Sequence, residues 1–169
     1  MLRFYQMAVI AFGASASMNK SDGIVTMPNG AAMSFSNVGD AESYAKQLGK
    51  TRTFLGVDEF GNYLPSAVQF VNMIRSNLRG PVGMLTRLHI TANPRGRNHT
   101  YCVKNFVNKS PPWVPYREHG DGDWWVNVSA DSVRVNPHID ADSYLRQLRA
   151  ATNHDENLQR AWIDGDWNV

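Results

Sequence analysis

The apolar positions of the central third of the chain change rhythm twice. Thr53 to Val57 is a short run of β-branched, aromatic and aliphatic residues that closes on the adjacent acids Asp58 and Glu59. This is the pattern of a buried parallel strand delivering carboxylates to the carboxyl edge of a sheet. From Leu64 to Arg79 the apolar residues Ala67, Val68, Phe70, Val71, Ile74 and Leu78 follow one face of a helix. Pro65 suits its first turn and Gly80 its end. A second strand, Met84 to Ile90, stops at Thr91-Ala92-Asn93-Pro94. Strand, helix and strand predict a right-handed crossover. Its parallel strands put Asp58, Glu59, Thr91 and Asn93 on one edge, where open α/β sheets bind ligands.

Outside this unit the rhythm predicts shorter elements. The opening MLRFYQMAVIAF reads as a buried strand or helix, because its apolar run is short for a signal peptide and holds Tyr5 and Gln6. Ser21 to Gly30 reads as strand and turn, and Asp40 to Leu48 as a short helix with Asp40 as N-cap and Gly49 as stop. The turn Arg95-Gly96-Arg97-Asn98 opens a helical segment through Val107, and Trp113–Tyr116 and Trp124–Val128 read as strands with the tryptophans in the core. Between them His119-Gly-Asp-Gly-Asp123 reads as a solvated turn; alternating Asp residues suit a hard cation, but the further ligands of an EF-hand are missing. Two helices follow, Ala141 to Ala151 and Asp155 to Ile163, starting at Asp140 and Asp155 and ending before Gly165.

At 169 residues the chain has the length of one domain with a sizeable core. No apolar run approaches a membrane span. The single Cys102 excludes an internal disulfide and a cysteine-based zinc site, and reads as a small buried hydrophobe. Net charge is only +2, yet its distribution is uneven. No acid occurs between Glu59 and Glu118, an interval that holds Arg75, Arg79, Arg87, Arg95, Arg97, Lys104, Lys109 and Arg117. From Glu118 onward ten acids face four bases. The acid-free block can face phosphate, of DNA or of a triphosphate, or it can simply solvate a surface. Arg95 and Arg97 are its best candidates because their loop lies at the predicted ligand edge.

A strand ending in Asp-Glu has a use in nucleotide hydrolysis. The Asp holds Mg²⁺, usually through water, and the Glu takes a proton from the attacking water. The competing reading is a solvated loop start. Ala14 to Ser21 can be laid over the Walker A pattern, but Ala14 and Asn19 stand where its two glycines belong, and no helical pattern follows. The stretch therefore does not read as a phosphate loop.

Leu55-Gly-Val-Asp-Glu-Phe60, the helix ending Arg75-Ser-Asn-Leu-Arg79, and Ile90-Thr-Ala-Asn-Pro-Arg-Gly96 stand in an order and spacing that resemble the large terminase subunit of tailed bacteriophages. The likeness continues through His99, Tyr101 to Lys104 and Phe106, resumes at Val135-Asn136-Pro137 and Tyr144 to Leu148, and closes on Gly165-Asp166-Trp167. It covers the chain from about Asn19 onward.

The resemblance implies an α/β fold: a partial P-loop (ASCE-type) ATPase sheet with flanking helices, lacking the Walker A strand and loop. A hairpin-like pair, Gly23–Met27 and Ala31–Phe35, would precede it. Residues 1–135 would be the C-terminal part of the ATPase domain, and 136–169 a closing helical subregion leading toward an absent nuclease. Asp58 and Glu59 would be catalytic, with Mg²⁺ held by Asp58 through water. Thr91, Ala92 and Asn93 would be the coupling motif, and Arg75, Arg79, Arg95 and Arg97 would contact DNA or phosphate. The implied function is a motor that couples ATP hydrolysis to translocation of double-stranded DNA into a procapsid, with other terminase subunits and the portal as partners. It would be a homo-oligomer when complete, in the cytoplasm of an infected bacterium. Without Walker A the isolated chain is expected to be inactive. Two rivals stand beside this: a fragment of another P-loop ATPase such as a helicase, and a non-catalytic DNA-binding or assembly protein.

Overall fold

The computed structural model describes residues 1–13, 15–120, 122–129 and 136–169. They form two units, Met1–Gln47 and Leu48–Val169. The expectations that fall on Ala14, Asp121 and Val135 lie outside the described residues.

The first unit holds helix α1 (Leu2–Phe12), strands β1 (Ser17–Asn19), β2 (Ile24–Thr26) and β3 (Ala32–Ser34), and helix α2 (Ala41–Ala45). The strands form an antiparallel sheet in the order β1-β2-β3. The turn between β2 and β3 falls on Pro28-Asn29-Gly30. Gly30 takes φ 82° there, and Asn29 Oδ1 accepts the Ala31 amide at 3.0 Å. Val25 on the central strand is fully buried, with Ala8 and Ala16 beside it and Phe4, Tyr5, Val9 and Met18 packed around. The opening segment is helical, but it is not buried as expected. Only Ala8 of α1 is fully buried, with Phe4, Tyr5 and Val9 half-buried, while Met7 and Ile10 stand 66% and 85% exposed. Asp40 caps α2 through a reciprocal exchange with Ser43.

In the second unit β4 (Phe54–Val57), α3 (Pro65–Ile74) and β5 (Arg87–Ile90) make the predicted parallel crossover. Phe54 pairs with Arg87, Leu55 with Leu88, Gly56 with His89 and Val57 with Ile90. The inner members Leu55, Val57, Leu88 and Ile90 pack with Phe60, Val68, Val71 and Cys102 into the core. Cys102 lies on α4 (His99–Asn105), which closes the same layer. The outer members Phe54, Gly56, Arg87 and His89 are exposed. β4 is therefore covered on one face only, where its sequence predicted burial on both. The alternation Arg-Leu-His-Ile in β5 carries the same message. α3 ends at Ile74 and tightens into a 3₁₀ turn, Arg75–Asn77.

Of the expected strand Trp113–Tyr116 only Tyr116 joins one. Pro111, Pro112 and Pro115 remove ladder donors, the Val114 amide turns back to Pro111 O at 3.2 Å, and Trp113 takes φ 67°. The strands here are β6 (Tyr116–Arg117) and β7 (Trp124–Trp125), paired antiparallel. Trp125 packs inward against Phe106, with ring centroids 5.4 Å apart, whereas Trp124 is 64% exposed and lies under the Arg117 guanidinium. Helices α5 (Ala141–Ala151) and α6 (Glu156–Asp164) start at the side-chain caps Asp140 and Asp155. Gly165 ends α6 at φ 66°, in the left-handed region.

Candidate functional site

The tips of β4 and β5 are tied together beyond the strands. Thr91 N donates to Val57 O at 2.9 Å, and Phe60 N to Thr91 O at 2.8 Å. The Thr91 hydroxyl joins the two acids: it donates to Asp58 Oδ1 at 2.6 Å and accepts from Glu59 N at 3.0 Å. Glu59 N also reaches Asp58 Oδ1 at 3.2 Å. Glu59 itself sits at φ 51°, ψ 35°, a left-handed conformation costing about 1–2 kcal/mol for a residue with a Cβ. Thr91 helps to hold it there. Both carboxylates are exposed, side by side at the carboxyl edge.

Behind them lies a residue that sequence reasoning missed. Asn98, 6% exposed, donates its amide N–H groups to Phe60 O at 3.3 Å and to Tyr63 O, while its backbone N–H binds Gly61 O at 2.8 Å. The acidic loop and the Arg95–Asn98 loop are thereby fastened backbone to backbone. The approach is so close that a Cβ on Gly96 would lie 2.3 Å from Gly61 O. An Asn at the end of a Gly-containing turn was the only sequence signal for this role. Tyr63 belongs to the site as well. Burial raises its phenol pKa, and the negative charges of Asp58 and Glu59 raise it further.

The site gathers some of the predicted residues and separates others. Ala92 packs against the core, and the exposed Asn93 follows directly. Arg95, at φ 67°, donates its backbone N–H to His99 Nδ1 at 3.0 Å, and Arg95 and Arg97 both face solvent. His99 stacks on Trp167 with centroids 5.5 Å apart, and Asp166 pairs with Arg160. The closing Gly-Asp-Trp thus packs against the turn that carries the candidate arginines.

Arg75 and Arg79 stand elsewhere. Arg75 makes two bonds to Glu118, at 3.0 and 2.6 Å, lies 3.7 Å from Asp123, and sits 5.2 Å from the Trp125 ring centre. Its guanidinium holds the Glu118 carboxyl below the usual range. Arg79 N donates to Arg52 O at 2.9 Å, at the opposite, amino edge of the sheet.

Lys20 stands in the turn between β1 and β2, with a strand rather than a helix after it. Among the described residues no three His, Cys, Asp or Glu side chains gather as a metal cage. Asp58 alone, with one oxygen engaged by Thr91, fits an ion held mainly by water and phosphate. Among the described residues no helix is long and apolar enough to cross a membrane. No protein-family model matches the chain, and no curated protein or solved structure matches it.

Proposed function

We propose that the chain is part of the large subunit of a viral DNA-packaging terminase, contributing the acid-bearing half of its ATPase. The observation that carries this reading is the joined pair of strand tips, with Asp58 and Glu59 on one and Thr91 to Asn93 on the other, linked through the Thr91 hydroxyl. A P-loop-type sheet uses adjacent tips in this manner. In this reading Glu59 orients and deprotonates the attacking water, and Asp58 would hold Mg²⁺ through water. The ion would offset charge developing on the phosphates of ATP. The lysine and backbone amides that cradle those phosphates come from a segment outside this chain.

Asn93 serves as sensor, and its signal has a short path. The backbone from Asn93 runs straight into the Arg95–Asn98 turn, which Asn98 fastens to the acidic loop. A change at the γ-phosphate would move the two loops together and with them Arg95 and Arg97, the candidates for double-stranded DNA. Arg75, spent on Glu118, has no part in that contact. The partners are then DNA, further terminase subunits and the portal of a procapsid, in the cytoplasm of an infected bacterium.

The test is a motor reassembled with the phosphate-loop segment supplied. Glu59→Gln should retain ATP binding and lose turnover by at least about 100-fold, because an amide cannot accept the proton. Asn93→Ala should bind ATP and fail to translocate DNA. Normal ATP turnover in Glu59→Gln would sink the assignment.

A further inference from the structure

The outer face of the β4–β5 sheet is bare, and its composition is unusual for a parallel pair. Its exposed members are Phe54, Gly56, Arg87 and His89, paired across the strands as Phe54–Arg87 and Gly56–His89. Phe54 is 48% exposed. Its ring leans over the glycine, with Cε1 3.1 Å from the point a Cβ on Gly56 would occupy. The missing side chain lets the ring lie toward the sheet and turn its other side to solvent. Arg87 and His89 are two residues apart, about 6.6 Å along the strand. Among the described residues neither side chain has an ion pair or hydrogen bond with the protein. Asp58, two residues past Gly56, is the nearest acid along β4.

A helix covering this face would need a row of apolar residues, as the inner face provides with Leu55, Val57, Leu88 and Ile90. The outer face offers one. One exposed aromatic ring beside the Arg87 guanidinium and the donor-bearing His89 ring on an open sheet suits a polyanion that carries flat rings.

We propose that this face binds single-stranded nucleic acid, one base stacking on Phe54 and the adjoining phosphates lying along Arg87 and His89, away from Asp58. The inference concerns the outer face of the sheet in this chain, whereas the terminase reading concerns the carboxyl edge and duplex DNA.

The experiment titrates the full chain into fluorescently labelled oligo(dT), with a hairpin duplex of equal phosphate number as competitor. Anisotropy should saturate, and the duplex should compete more weakly than unlabelled oligo(dT). Phe54→Ala should weaken binding by about 5-fold or more, and Phe54→Trp should restore it. Arg87→Ala should reduce the salt dependence by about one phosphate contact. Circular dichroism checks that each variant folds. Equal competition by the duplex, no saturable binding, or unchanged affinity in folded Phe54→Ala would each overturn the proposal. So would a folded chain whose Phe54 face proves to be covered by a second copy in solution.

Discussion

The amide of Asn98 is buried and faces two carbonyls of the acidic loop, those of Phe60 and Tyr63. Asn98→Ala removes the side-chain donor from both, leaving Phe60 O with the Tyr63 amide at 3.2 Å, and should cost about 1–3 kcal/mol, read as a lower urea midpoint at unchanged slope. Asn98→Asp should cost more, because a carboxylate cannot donate and would face the same carbonyls. An Asn98→Ala chain as stable as the unmodified one would remove the fastening role. Tyr63 reports on the same loop through pH. Its folded pKa is raised, by burial first and by Asp58 and Glu59 after that. The stability it contributes is therefore complete below the ordinary phenol value of 10.0 and is lost as pH rises through the folded value. In an ultraviolet titration, Asp58→Asn should move the Tyr63 transition down toward the ordinary value. A transition that stays put would separate Tyr63 from the carboxylates. None of this was legible in the sequence: Asn98 and Tyr63 lie 35 residues apart, and only the fold brings an inconspicuous turn residue under the acidic loop.

Elements were legible where local chemistry agrees with the tertiary demand. α5 spans the predicted residues, because a capping Asp140 precedes an apolar face that includes the buried Leu145. The β4–α3–β5 crossover follows for the same reason, its inner positions all apolar. Reading failed where an element depends on something remote. β-rich composition at Trp113 and Val114 yielded to Pro115 within the run and to Pro111 and Pro112 just before it. The outer face of β4 looked buried because Phe54 is apolar, although β5 alternates. Arg75 looked like a phosphate ligand because its acid, Glu118, lies 43 residues downstream. That ion pair couples the end of α3 to β6 and β7. Arg75→Ala should destabilise the second unit by about 2 kcal/mol, losing two charge-assisted bonds and the stack on Trp125. Lys should recover less than half, since it cannot make the paired contact. Glu118 has a lowered folded pKa, caused first by the hydrogen bonds from Arg75. Its contribution is present above the unfolded value, about 4.5, and is lost as pH falls through the folded value. Urea midpoints followed downward from neutral pH should show that loss in the unmodified chain and a flatter profile in Arg75→Ala. Equal profiles would mean the pair stabilises little.

At the scale of the molecule, the chemistry proposed for the carboxyl edge is half of a reaction centre. Asp58 and Glu59 can place an ion and take a proton, but ATP hydrolysis also needs donors fixed around the β- and γ-phosphates. The nearest pattern in the chain, Ala14 to Ser21, belongs to the first unit. There Met18 and Asn19 are part of β1, paired with Val25 and Ile24, and Lys20 follows in the turn. Strand pairing commits alternate amides of β1 to β2, where a phosphate loop would turn successive amides inward around an anion. Asn19 adds a bond from its side chain to Asp22 at 2.7 Å, which puts a carboxylate where a phosphate would have to lie. The purified chain should therefore show no ATP turnover above a background set by a Glu59→Gln preparation. Lys20→Ala should leave that background unchanged. Supplying a phosphate-loop segment should raise turnover, with dependence on Glu59. Steady turnover by the chain alone that disappears in Lys20→Ala would mean the first unit rearranges into a working phosphate loop, and the division of labour proposed here would be wrong.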